Sequence, residues 1–139
     1  MLILVTGGAG YIGSHVCIEL INEGYELLIL DNLSNSSLDS INLIEEISGQ
    51  SVSFIEGDIR DKNLLQSIFL NNNIDSVMHF AGLKAVGESV NKPLMYYDNN
   101  VIGTVILLEV MAEYGCKNIV FSSSATVYGD PQYVPINEK

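Results

Sequence analysis

An apolar run, Leu2 to Val5, stops abruptly at glycines, in the stretch Ile3-Leu4-Val5-Thr6-Gly7-Gly8-Ala9-Gly10-Tyr11-Ile12-Gly13-Ser14-His15. No other stretch narrows the available folds so far. The glycines read either as Gly8-x-Gly10-x-x-Gly13 or as Gly7-x-x-Gly10-x-x-Gly13. Both spacings make a tight strand-to-helix turn in which no side chain blocks the backbone. A pyrophosphate can then approach free N–H groups at the helix N-terminus, where the helix dipole favours negative charge. Glycine-rich turns are common, and an ordinary connection has the same look. The rest of the chain decides between the two.

The spacing predicts a first strand over Leu2–Thr6 and a helix from about Tyr11 to Asn22, closed by Gly24. A second strand runs from Glu26 to Leu30. Its nearly continuous apolar run indicates burial on both faces, as in a parallel sheet. Asp31 stands at its tip, where a carboxylate can hydrogen-bond the hydroxyls of an adenosine ribose; a solvated strand-end carboxylate is the plainer alternative. A carboxylate there repels the 2′-phosphate of NADP. No Arg or Lys lies between Asp31 and Ser53 to offset it, so the sequence favours NAD. A polar loop and a helix (about Leu38–Ile47) lead to a third strand, Val52–Ile55, ending in Glu56-Gly57-Asp58-Ile59. Asp58 suits either the N-cap of the next helix or a partner for an adenine amino group, and the two are compatible. A helix over about Lys62–Leu70 precedes a fourth strand, Ile74–Phe80, which ends in Phe80-Ala81-Gly82-Leu83-Lys84. Pro93 opens a long helix to about Tyr114, interrupted by Asn99 and Asn100, with more apolar residues than one face can bury. A fifth strand, Asn118–Ser122, leads into Ser122-Ser123-Ser124-Ala125-Thr126-Val127-Tyr128-Gly129. The tail from Asp130 to Lys139 shows no helix or strand period, and no domain boundary or repeat is visible.

Strands alternating with helices predict a doubly wound parallel α/β sheet of the Rossmann type, with about five strands and helices on both faces. The unusual residues all fall at the C-terminal ends of strands, the edge at which open α/β sheets bind ligands. Composition agrees. The 139 residues suit one compact unit, and 47% apolar content supports a sizeable core. Six Lys and Arg against 17 Asp and Glu give a formal net charge of −11. A nucleic-acid partner and an anionic membrane surface are therefore not expected. An anionic ligand must be held by local N–H groups instead. Cys17 and Cys116 make no metal pattern and read as reduced core thiols of a cytoplasmic protein.

The later segments are more specific. Asp31-Asn32-Leu33, Glu56-Gly57-Asp58-Ile59-Arg60, His79 to Val90, Tyr96 to Asn100 and Phe121 to Gly129, together with the glycine turn, span essentially the whole chain. In them the chain resembles the N-terminal part of an extended short-chain dehydrogenase/reductase, and more narrowly of the UDP-glucose 4-epimerase family. The resemblance implies that Gly7, Gly10, Tyr11, Ile12 and Gly13 meet the pyrophosphate of NAD. It places Asp31, Asn32, Leu33, Ser34, Asn35 and Ser36 on the adenosine ribose side, and Asp58 and Ile59 at the adenine. It places Phe80, Ala81, Gly82, Leu83, Lys84, Asn99 and Ser122 around the nicotinamide half. It makes Ser124 a catalytic and substrate-binding residue that hydrogen-bonds the 4-oxygen of a UDP-hexose and relays its proton. A homodimer of the full-length protein is implied as well.

One departure stands out. The family's base is a Tyr in a Tyr-x-x-x-Lys pair, and no such pair occurs here. Without that Lys, a tyrosine with pKa near 10 is a poor base at neutral pH. The expectation is therefore a piece of a longer enzyme, lacking the substrate domain and inactive alone. Two other readings stay open: another nucleotide-sugar enzyme of the superfamily, or a non-catalytic NAD-binding module. A dehydratase needs a carboxylate pair, and a decarboxylase a Glu, where Ala125-Thr126 stand. His79 is expected to be a core histidine, and His15 structural.

Overall fold

The computed structural model describes residues 1–131 and 133–136, with the side chains of Ala125 and Thr126 set aside. Gln132 and the last three positions of the expected unstructured tail lie outside the described residues.

Five strands form one parallel sheet in the order β3-β2-β1-β4-β5. They are β1 (Leu2–Thr6), β2 (Glu26–Asp31), β3 (Ser53–Glu56), β4 (Ile74–His79) and β5 (Ile119–Phe121). The helices between them are α1 (Tyr11–Asn22), α2 (Leu38–Ser48) and α3 (Lys62–Asn71), then α4 (Val86–Asn91), α5 (Pro93–Tyr96), a π-helical segment (Tyr97–Ile102) and α6 (Gly103–Glu113). A 3₁₀ turn, Ala125–Tyr128, follows β5. Strand β1 is central. Its Val5 lies opposite Ile29 of β2 and Met78 of β4.

The apolar runs of β1 and β2 are continuous because both faces of the sheet are covered. Ile3, Val5, Leu27 and Ile29 turn to one face, with Cys17 and Ile21 of α1 and Ile41 and Ile44 of α2. Leu4, Leu28 and Leu30 turn to the other, with Leu65 and Ile68 of α3 and Leu107, Val110 and Met111 of α6. Right-handed crossovers require this division. The chain moves outward from β1 to β3 on one side, then returns past β1 to β4 and β5 on the other. The direction reverses between β1 and β4, which creates a crevice at the C-terminal ends of those strands.

Helix ends follow local chemistry. Ser37 Oγ accepts from Asp39 N at 3.0 Å to cap α2, and Gly49 closes that helix at φ 68°. At α3 the N-cap is Asp61, whose Oδ1 accepts from Leu64 N at 3.0 Å. The capping role expected of Asp58 is therefore corrected: Asp58 precedes the cap, and its carboxylate is used elsewhere. The single long helix expected over Pro93–Tyr114 is also corrected. It begins at Pro93 as expected, but passes through the π segment before resuming as α6. Its asparagines do not simply face solvent, since Asn99 and Asn100 are both half-buried. Helix α4 has no buried residue, and so had no apolar period to reveal it.

Candidate functional site

A cavity of about 280 Å³ opens at the reversal point between β1 and β4. Its floor is the glycine turn. Gly7 has φ 73°, a left-handed conformation that favours glycine. A Cβ on Gly7 would lie 2.5 Å from Ala81 N and 2.6 Å from the Phe80 carbonyl carbon. The β1 and β4 loops thus touch backbone to backbone; Phe80 N donates to Thr6 O at 2.8 Å, and on the other side Gly7 N donates to Leu30 O of β2 at 2.8 Å. A Cβ on Gly13 would lie 2.2 Å from Gly7 O, so that glycine lets α1 sit directly on the turn.

The N-terminus of α1 points into this cavity without a cap. Gly10 is its N-cap residue, no side chain caps the helix, and no acidic residue occupies the first turn. The N–H groups of a first helical turn have no carbonyl partner within the helix. Here Tyr11, Ile12 and Gly13 carry them at the cavity wall. Together with the dipole they could hold an anion without help from the net charge of −11.

Asp31 is 7% exposed and holds the adjoining loop in shape. Its Oδ2 accepts from Ala9 N at 3.0 Å; its Oδ1 accepts from Leu33 N and Ser36 Oγ, both at 2.9 Å. Leu33 takes a left-handed φ of 53° to make that turn. Asp31, Asn32, Ser34 and Asn35 line the cavity, whereas Leu33 and Ser36 do not and instead donate to Asp31. Ile59 also lines it, and Asp58 does not. Asp58 Oδ1 accepts from Arg60 N and Nε, and its Oδ2 from Asn32 Nδ2, all at 2.9 Å, and also from Arg60 Nη2 at 2.6 Å. The Arg60 guanidinium holds that carboxyl well below the usual carboxylate range.

Across the cavity lie Phe80 to Lys84, Asn99 and Ser122. Among the described residues no carboxylate pairs with Lys84. Asn100 grips this wall: its Oδ1 accepts from Leu83 N at 2.8 Å, its Nδ2 donates to Leu83 O at 2.9 Å, and Asn99 Nδ2 donates to its Oδ1 at 2.9 Å. Ser122 N donates to His79 O at 3.1 Å, which joins β5 to the same edge. Ser124 lies beyond the cavity lining, exposed, with its carbonyl accepting from Val127 N at 3.1 Å. Leu30 and Gly57 complete the lining. Neither shows a signal in sequence beyond its place at a strand end.

His79 is 3% exposed and is a core histidine, as expected. Thr104 Oγ1 donates to Asn100 O at 2.6 Å, so it accepts from His79 Nε2 at 3.0 Å. Nδ1 is then the acceptor for Thr6 Oγ1 at 2.6 Å. Burial pulls this imidazole down to about 4, with a smaller push from Lys84, so it stays neutral. Cys17 is wholly buried, and burial pushes its thiol up to about 12. Neither group is poised for chemistry. Among the described residues no cluster of His, Cys, Asp and Glu suits a metal, and no helix is long and apolar enough to cross a membrane.

Strand order, an uncapped helix N-terminus on a glycine turn, and a strand-end carboxylate together define a Rossmann-type nucleotide-binding fold. Residues 4–139 match the family model described as GDP-mannose 4,6 dehydratase, and the chain belongs to that family. Within it, the chain is 61% identical to the UDP-glucose 4-epimerase of Bacillus subtilis over 138 residues, which cover 99% of this chain and 41% of that protein. The UDP-glucose 4-epimerase of Bifidobacterium longum, solved in complex with NAD+ and UDP, superposes with a TM-score of 0.95 at 53% identity, over 100% of this chain and 42% of that one. The Stenotrophomonas maltophila epimerase, solved with bound NAD and formylated UDP-arabinopyranose, gives 0.94 at 46%, over 99% and 41%. The chain thus spans about two-fifths of the length of the relatives it matches.

Proposed function

We propose that this chain forms the NAD-binding portion of a nucleotide-sugar 4-epimerase acting on UDP-glucose and UDP-galactose. The observation that carries the reading is the uncapped N-terminus of α1 opening onto a cavity that has Asp31 at one end and the Phe80–Lys84 loop at the other. The donor set fits a dinucleotide: N–H groups for the pyrophosphate, a buried carboxylate for ribose hydroxyls, and backbone plus an ammonium for the other half. Relatives solved with NAD bound support it.

Residues Tyr11, Ile12 and Gly13 would hold the pyrophosphate; Asp31 to Ser36 the adenosine ribose; Asp58 and Ile59 the adenine end; Phe80–Lys84, Asn99 and Ser122 the nicotinamide half. When bound, NAD supplies a hydride acceptor for C4 of the hexose and a donor for its return to the opposite face. Ser124, just beyond the nicotinamide end, would hydrogen-bond the sugar 4-oxygen and pass on its proton. The sequence favours epimerisation over dehydration, because Ser124-Ala125-Thr126 offers no carboxylate to remove a proton at C5. The full-length protein would work as a homodimer in the cytoplasm.

The test is interconversion of UDP-glucose and UDP-galactose by the full-length protein, with its NAD content measured before and after Ser124→Ala. Loss of turnover of about a hundredfold with NAD content intact is expected. Wild-type turnover in the variant, or 4,6-dehydration of the sugar, overturns the assignment.

A further inference from the structure

The two ends of the cavity are carried by separate parts of the chain. Asn32, Gly57 and Ile59 wall one end, from the loops after β2 and β3; Asn99, on the π segment, helps wall the other. The Arg60 side chain reaches from one to the other. Arg60 donates from Nε to Asp58 Oδ1 at 2.9 Å and from Nη2 to Asp58 Oδ2 at 2.6 Å, while Nη1 donates to Asp98 Oδ2. Asp98 immediately precedes Asn99. The Arg60 stem is also packed: a Cβ on Gly103, at the start of α6, would lie 3.4 Å from Arg60 Cγ and 2.7 Å from Ile59 Cδ1. The helix thus starts close against the Ile59 and Arg60 side chains.

Asp58 is held through both of its carboxylate oxygens. Each of its oxygens already accepts two donors, and a carboxylate has about four lone-pair sites. Asn32 and Arg60 therefore set where the Asp58 carboxylate stands at the adenine end. A planar guanidinium can serve two carboxylates at once in fixed geometry, which a lysine ammonium on a flexible stem does not. A π turn is a common feature of functional sites, and here it presents Asp98 to Arg60, Asn99 to the cavity and Asn100 to Leu83.

We propose that Arg60 is a positioning residue that fixes the adenine wall of the cavity relative to the nicotinamide wall by bridging Asp58 and Asp98. The proposal rests on the dinucleotide reading above. Partly exposed ion pairs add little to global stability, so the bridge shows itself in local order and in ligand affinity.

The experiment compares full-length wild type, Arg60→Met, Arg60→Lys and Asp98→Asn. Amide hydrogen exchange over residues 97–102 is measured without ligand, and AMP and NAD are titrated separately by calorimetry. Arg60→Met keeps an apolar stem against Gly103 and removes the fork. It is expected to raise exchange over the π segment and to weaken NAD about tenfold and AMP about threefold. Asp98→Asn is expected to raise the same exchange and weaken NAD, yet leave AMP within about twofold of wild type. Arg60→Lys is expected not to restore NAD affinity. Unchanged exchange in Arg60→Met and Asp98→Asn overturns the bridge, whatever the ligands do. Raised exchange with wild-type NAD affinity overturns the positioning role. A wild type that binds neither AMP nor NAD overturns the dinucleotide reading and the proposal with it, and the exchange data distinguish that failure from a missing bridge.

Discussion

At Gly7, conformation and space coincide: a positive φ, and main-chain atoms of the facing loop closer than any Cβ tolerates. Gly7→Ala should cost roughly 2–4 kcal/mol, from left-handed strain plus backbone displacement; urea unfolding of the full-length protein measures it. Asp31 has a double task. It ties Ala9 to the β2 loop and leaves a buried carboxylate at one end of the cavity. The full-length protein stripped of cofactor should bind NAD more tightly than NADP, and Asp31→Asn should weaken NAD about tenfold. Equal or tighter NADP binding by the wild type sinks the argument. His79 gives a pH signature. Its pKa lies at about 4 in the folded protein against an ordinary 6.5, so the unfolded chain binds more protons between those values. Its contribution to stability is complete above pH 6.5 and is lost as pH falls toward 4, by at most about 3 kcal/mol. His79→Gln should flatten that limb of an acid-unfolding profile, and an unchanged limb refutes the assignment. The glycines, Asp31 and the buried His79 were legible because each has a role set by its own strand end. The reach of Arg60 to Asp98 and of Asn100 to Leu83 was not, because those partners lie 38 and 17 residues away.

Among the elements, the strands and the helices α1 to α3 were legible from apolar runs and caps, since burial on both faces leaves no choice of pattern. The π segment was not. Its asparagines mark only an interruption, and a widened turn has no sequence period of its own; here Asp98 and Asn100 meet separate tertiary partners, Arg60 and Leu83. Deleting one residue from Tyr97–Ile102 should restore regular α-helix and turn Asn100 away from Leu83. Both main-chain polar groups of Leu83 would lose their partner, at roughly 1–3 kcal/mol each if they stay buried. Thermal unfolding should show that loss, together with weakened NAD binding. Helix α4 escaped notice for the opposite reason: with nothing buried, it left no trace in the pattern of apolar residues.

For the whole molecule, the excess of apolar residues on the long helix proves to be surface. Val101, Ile102, Val105 and Leu108 are 43–50% exposed, and Val120 and Phe121 of β5 are 57% and 52% exposed. Contiguous apolar surface promotes association. Light scattering of this chain across a dilution series should show self-association, weakened in a Val105→Asp, Leu108→Asp double variant. A monomer at every concentration shows that this face needs no partner. The central place of β1 has a kinetic side. Its first neighbour, β2, follows within 31 residues, but its other neighbour, β4, ends only at His79. During synthesis the N-terminal strand therefore waits with one edge unpaired while some fifty further residues leave the ribosome. The glycine turn gains its roof only when Phe80 and Ala81 arrive. Such long-range parallel pairing is slow to form and open to aggregation meanwhile. The cavity at this crevice is thus among the last parts of the sheet to be completed, although its glycine turn precedes most of the sheet in the chain.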